Sequence, residues 1–230
     1  PGIRFVFSPV WFEGIDTFFN VFGVLVPLLI ALYAYKLYRF SGDRNHKLFT
    51  LSFLSISVSF IFKILTNITI YSNIIAQKTI GFVTFSVPMV IKYDYFYFFG
   101  YFLFRLLFLI GIFGIYVLLY HSRERYHKYL IAYFLFVVAF VSHYFFHLFH
   151  ITAALLLIYV TYGYYMRYVR AKKQFAKNIR YIVAAFFLLL FSQVMFVPVH
   201  IFPTLYVVGE TVQLAGLLTL LFTYVVVLKK

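Results

Sequence analysis

The chain contains apolar runs of 18 or more residues that show no period-two alternation, and this feature most restricts what it can fold into. In a bilayer the backbone finds no water to bond, so spanning elements are helices or closed barrels. Barrel strands alternate apolar and polar residues over about ten positions, and these runs do not, so they read as helices. Composition agrees: 64% of the 230 residues are hydrophobic, only 11% are charged, and mean hydropathy is +0.95. One soluble core of this size has no room for so much apolar surface, which makes lipid the expected solvent.

Seven stretches are long enough to cross a core of about 30 Å. They fall at about 17–38, 47–66, 95–120, 129–148, 151–167, 180–199 and 204–228, with ends uncertain by about 2–4 residues. The formal charge of +14 does not point to nucleic acid, because the basic residues gather between the runs. Lys36, Arg39, Arg44 and Lys47 follow the first, and Arg123, Arg125 and Lys128 the third. Arg167, Arg170, Lys172, Lys173, Lys177 and Arg180 join the fifth to the sixth, and Lys229 and Lys230 end the chain. With seven crossings all of these share one side, which the positive-inside rule makes cytoplasmic. The expectation is an all-α, polytopic, multi-pass protein of the cell membrane, a single transmembrane domain over residues 1–230. Its N-terminus would lie outside and its C-terminus in the cytoplasm.

Residues 67–94 read as an outer loop or interfacial segment carrying the sequon Asn67-Ile68-Thr69. The absence of cysteine excludes disulfides, thiolate metal sites and cysteine nucleophiles. The chain opens on Pro1 where an initiator methionine would stand, so further residues are expected ahead of it.

Ionisable residues at bilayer depth are costly and need partners, which makes them the best functional pointers in such a chain. Lys63 lies near the outer end of the second span, Arg105 about ten residues into the third, and Glu210 about six residues into the seventh. Glu13 and Asp16 precede the first. A pairing of Glu210 with Lys63 or Arg105 follows from this topology, either as a ligand site or as a fixer of helix register. The segment VSHYFFHLFHI adds His143, His147 and His150, whose spacings of four and three residues put all three on one helical face. His200, at the outer end of the sixth span, could join them around a transition metal. The same imidazoles could instead be interfacial hydrogen-bonding groups or pH sensors. A haem held by His143 or His147 with His200 is a further reading, weaker because no matching pair stands at the opposite depth. A retinal protein is excluded, since the seventh span holds Glu210 and Gln213 and its only lysines are the terminal two.

The segment LYRFSGDRNHKLFTLSFLSISVSF resembles the first inner loop and second helix of seven-helix modules in prokaryotic membrane sensors. That resemblance covers about twenty-five residues and implies an outer pocket that senses and a cytoplasmic end that passes a signal on. The leading expectation is therefore a non-enzymatic sensor or ligand-binding module with an outward-facing polar pocket of Lys63, Arg105, Glu210 and the fourth-span histidines. Its partners would be the lipid bilayer and a cytoplasmic signalling protein. Two alternatives stand beside it: a metal-binding protein or metalloenzyme using His143, His147, His150 and His200, and a structural subunit packed against other membrane subunits.

Overall fold

The computed structural model describes residues 8–79, 87–120, 125–171 and 173–228, and among these every regular element is helical. After a 3₁₀ turn at Val10–Phe12 come α1 (Ile15–Ser41), α2 (Arg44–Thr79), α3 (Val87–Tyr120) and α4 (Arg125–Val141). Then follow α5 (Phe146–Arg170), α6 (Lys173–Phe196), a second 3₁₀ turn at Val197–His200, and α7 (Thr204–Leu228). Six segments are long and apolar enough to cross a membrane: Ile15–Ser41, Arg44–Thr69, Tyr97–Tyr120, Phe146–Arg170, Asn178–His200 and Thr204–Val226. A shorter apolar helix, Tyr129–Val141, accompanies them.

Local chemistry sets the junctions. At the end of α1, Gly42 takes the left-handed conformation with φ 66°, and its N–H donates to the Tyr38 carbonyl at 2.8 Å. A residue without Cβ closes a helix there at no steric cost. The next residue, Asp43, then accepts from the Asn45 N–H at 2.9 Å and starts α2. Between α6 and α7, Pro198 and Pro203 bracket the reversal.

The helices close into a ring. α1 packs on α2 and α7, α2 on α3, α3 on α5, α5 on α6, and α6 on α7. α4 stays outside this circle, touching α3 and more lightly α5, and exposes Tyr129, Leu130, Tyr133 and Phe134. α3 and α5 run parallel, as the contacts Phe104–Phe149 and Tyr116–Tyr159 show, so α4 carries the chain back from one end of the ring to the other.

α1 shows how sequence sorts the surfaces. Asp16, Asn20, Gly23, Pro27, Ile30 and Ala34 recur every three or four residues and are buried, while Phe18, Leu25, Leu29 and Leu32 form the opposite, exposed stripe. Large apolar groups face outward, and small or polar ones face the other helices. That arrangement fits lipid contact, where helices associate through close packing and interhelical hydrogen bonds. α2 uses both devices: the Ser57 hydroxyl donates to the Val24 carbonyl of α1 at 2.9 Å, and Ser55 to the Leu107 carbonyl of α3 at 2.8 Å. Gly23 lets the Phe60 ring approach so closely that a Cβ there would meet it at 2.5 Å.

Two sequence expectations are corrected. Of residues 67–94, read as an outer loop or interfacial segment, those through 79 belong to α2 and those from 87 to α3, and 80–86 lie outside the described residues. The sequon asparagine, Asn67, is buried on α2 and accepts a hydrogen bond from Tyr101 of α3 at 3.1 Å, a setting that withholds its amide from glycosylation. The fourth span also ends earlier than its apolar run, at Val141, and α5 starts at Phe146. No Gly or Pro marks this break. Instead the His143 N–H turns to the Phe140 carbonyl and the Tyr144 N–H to the Val141 carbonyl, tightening the last turn, while the Ser142 hydroxyl takes the Ala139 carbonyl at 2.8 Å.

Candidate functional site

Away from the end that carries the basic connections, each of the six ring helices turns a polar group inward. These are Asn20 on α1, Lys63 on α2, Arg105 on α3, His150 on α5, Gln193 on α6, and Glu210 with Gln213 on α7, all 7% exposed or less.

Lys63 donates from Nζ to Glu210 Oε1 at 2.7 Å, joining two helices that are not neighbours in the ring. This is one of the two pairings the sequence allowed. Phe60 and Phe104 wall the ammonium, their ring centroids 5.7 and 5.5 Å from Nζ. Beside Glu210, the Tyr206 hydroxyl donates to Asp16 Oδ2 at 3.3 Å. Asp16 spends its other oxygen on the start of α1, accepting from the Thr17 N–H at 2.6 Å and the Gly14 N–H at 3.2 Å. A carboxylate at a helix N-terminus is favoured there by the helix dipole.

Arg105 is not part of the pair. Its Cζ lies 5.5 Å from the Tyr101 ring centroid and 6.0 Å from that of Phe146. Among the described residues no carboxylate pairs with its guanidinium. Cation–π contact recovers about 0.5–2 kcal/mol, less than the several kcal/mol that desolvating an ion costs. A guanidinium cannot escape that cost as readily as other groups by losing its proton.

Asn20 is an unanswered group: fully buried, with neither amide atom hydrogen-bonded. The register of the helices fixes its level. Asp16 with Tyr206, and Tyr33 with Tyr224, align α1 and α7 in parallel, while Gly23 against Phe60 aligns α1 and α2. Both alignments put Asn20 level with the Lys63–Glu210 pair.

The histidines divide. His150 is buried and bonds through Nδ1 to Gln193 Oε1 at 2.8 Å, and Gln193 Nε2 reaches Gln213 Oε1 at 3.4 Å. His147 and His200 are exposed and face each other, ring centroids 5.8 Å apart. His143 stands in the turn before α5 against Phe98, centroids 4.6 Å apart. Burial and the Arg105 charge together push its pKa below the ordinary value. The break at residues 142–145 thus corrects the single helical face expected for His143, His147 and His150. Among the described residues no group of three or more His, Asp or Glu side chains is placed to hold a metal.

Sequence reasoning singled out Lys63, Arg105 and Glu210, which the structure brings into one layer, but gave no role to Asn20, Gln193 and Gln213. Their signal was available: each is an amide inside an apolar run, where an unbonded amide is expensive.

The architecture is that of a helical, multi-pass membrane protein with a polar interior layer near one end. No known protein family, characterised protein or solved structure matches the chain, so its functional reading stands on the chemistry of that layer.

Proposed function

We propose that the protein is a non-enzymatic sensor or ligand-binding module of the cell membrane whose outer polar layer is the binding site. The observation that carries this reading is the convergence of Lys63, Arg105 and Glu210, three ionisable side chains at most 7% exposed, on one level between helices. Such groups are costly at bilayer depth and are by default candidates for ligand or ion sites.

The chain's route supports an outward-facing orientation. With α4 returning the chain as a seventh, short crossing of about 25 Å, the basic connections α1–α2, α3–α4 and α5–α6 share a side with the C-terminus. The positive-inside rule places that side in the cytoplasm and the polar layer toward the exterior. Binding would shift the packing of α2, α3 and α7 around the layer, a population shift that the inner ends of the helices pass to a cytoplasmic signalling partner. Retention of the layer as pure register-fixing would leave no reason for Asn20 to stand unanswered or for Arg105 to lack a paired carboxylate among the described residues.

The single tryptophan, Trp11, is a built-in reporter. Its ring lies 5.4 Å from Phe12, which in turn packs on Tyr206, above Glu210. In proteoliposomes, Trp11 emission is expected to respond to protons, metal ions or small anions, and Arg105→Gln and Glu210→Gln are each expected to weaken the response. Wild-type responses in both variants, with stability unchanged, would sink the reading.

The His147–His200 contact favours a second reading, a transition metal bound at the rim. Stoichiometric zinc or copper in protein purified without a histidine tag, lost in His147→Ala, would move the assignment there.

A further inference from the structure

Arg105 is the cation of the polar layer that no carboxylate among the described residues pairs. We propose that Arg105 is the recognition residue for a small oxyanion, a carboxylate or phosphate-type group, bound between α3 and α5. This rests on the sensor reading of the layer and names the class of its ligand.

Charge selects the sign. Lys63 and Glu210 neutralise each other through a 2.7 Å contact, and Asp16 is spent on the amides of α1 and on Tyr206. Arg105 is therefore the layer's one cation with no carboxylate paired to it among the described residues. A cationic ligand would meet repulsion from it. Geometry selects the shape: the rings of Tyr101 and Phe146 flank the guanidinium without accepting its N–H donors in the manner of an oxygen. Five donors in a planar fork match two oxygens of one carboxylate or phosphate. Size follows from burial, since Arg105 is 6% exposed and only a small group reaches it. Asn20 supplies an independent sign that the layer is built to take something in. Its amide is 1% exposed and unbonded at both atoms, on the helix across the Lys63–Glu210 pair.

The test uses the full chain in nanodiscs of neutral phosphatidylcholine, with thermal unfolding followed at constant ionic strength in formate, acetate, phosphate and chloride. At least one oxyanion is expected to raise Tm saturably, by about 5 °C or more at a hundredfold excess over Kd. Arg105→Gln is expected to lose that rise. Arg105→Lys keeps the charge without the fork, should bind more weakly, and serves if the glutamine variant does not fold. A rise that appears only in nanodiscs containing phosphatidylglycerol, and depends on Arg105, identifies the oxyanion as a lipid headgroup. An equal rise in Arg105→Gln, or none with any anion or lipid, overturns the proposal. In that second case Trp11 separates the two claims. A response to metal ions or protons lost in Glu210→Gln keeps the layer as a site and removes only the anion, whereas no response removes both.

Discussion

Toward the basic end of the ring the interior is filled by Leu109, Ile112, Ile115, Leu157, Val160 and Leu220, and Tyr164 lies stacked on Phe186 with centroids 5.2 Å apart. Toward the other end the same helices present an ammonium, a guanidinium, a carboxylate, an imidazole and three amides. Both ends are equally buried, so the difference is not one of packing against solvent. The apolar end asks only that shapes fit, which any close-packed set of side chains satisfies. The polar end asks that every donor and acceptor be answered. It meets that demand for Lys63 and His150 and leaves it unmet for Asn20, while Arg105 meets aromatic rings and no carboxylate among the described residues. A region that buries charged and amide groups without full pairing, beside one filled almost wholly by apolar side chains, is where a ligand has something to gain.

The largest effect that would sharpen the contrast comes from the ion pair. Lys63→Met or Glu210→Leu alone strands a buried charge and is expected to cost about 3–5 kcal/mol, while the joint variant recovers most of it. A double-mutant cycle in detergent unfolding measures the coupling, and independent, additive losses would deny that the pair forms. Next is Gly23→Ala, whose new methyl would meet the Phe60 ring at 2.5 Å. Displacing a ring that is itself buried should cost about 1–3 kcal/mol, and a neutral result would show that α1 and α2 pack less closely. Gln193→Leu removes the partner of His150 and should cost about 1–3 kcal/mol by leaving an imidazole nitrogen unanswered. Full stability in that variant would mean that the α5–α6 contact is not made.

The smallest effect is in pH. The folded protein holds the His143 pKa below its ordinary value, so the unfolded chain binds the proton more readily. Stability is then undiminished above the ordinary histidine pKa of about 6.5 and falls as pH drops below it. His143→Gln should flatten that part of a Tm-versus-pH profile, and an unchanged slope would assign it to other groups.

The apolar runs made most of the architecture legible, because length and hydropathy alone identify a helix that must satisfy its backbone in lipid. Lys63, Arg105 and Glu210 were legible for the same reason, as ionisable exceptions in those runs. The α4–α5 break was not. In VSHYFFH the chain turns without Gly or Pro, through Ser142 and carbonyls three residues back, and periodicity alone reads straight through it. That is also why His143, His147 and His150 looked like one face. In the stretch 67–94 the sequon suggested an exposed asparagine, where Asn67 is held inside α2 by Tyr101. Partner choice was out of reach as well: the pairing of Lys63 with Glu210, and not Arg105, depends on how the ring closes across α1.

Because the natural sequence has no cysteine, single cysteines can be placed at will, and labelling by a small, membrane-impermeant thiol reagent tests the contrast between the two ends most directly. Asn20→Cys and Gln213→Cys, in the polar layer, should label from the outer face and slow when ligand binds, while Ile112→Cys and Leu157→Cys should stay unlabelled from either face. Equal labelling at both levels, or labelling of the polar layer only from the cytoplasmic face, would contradict an outward-facing binding layer above a sealed apolar end.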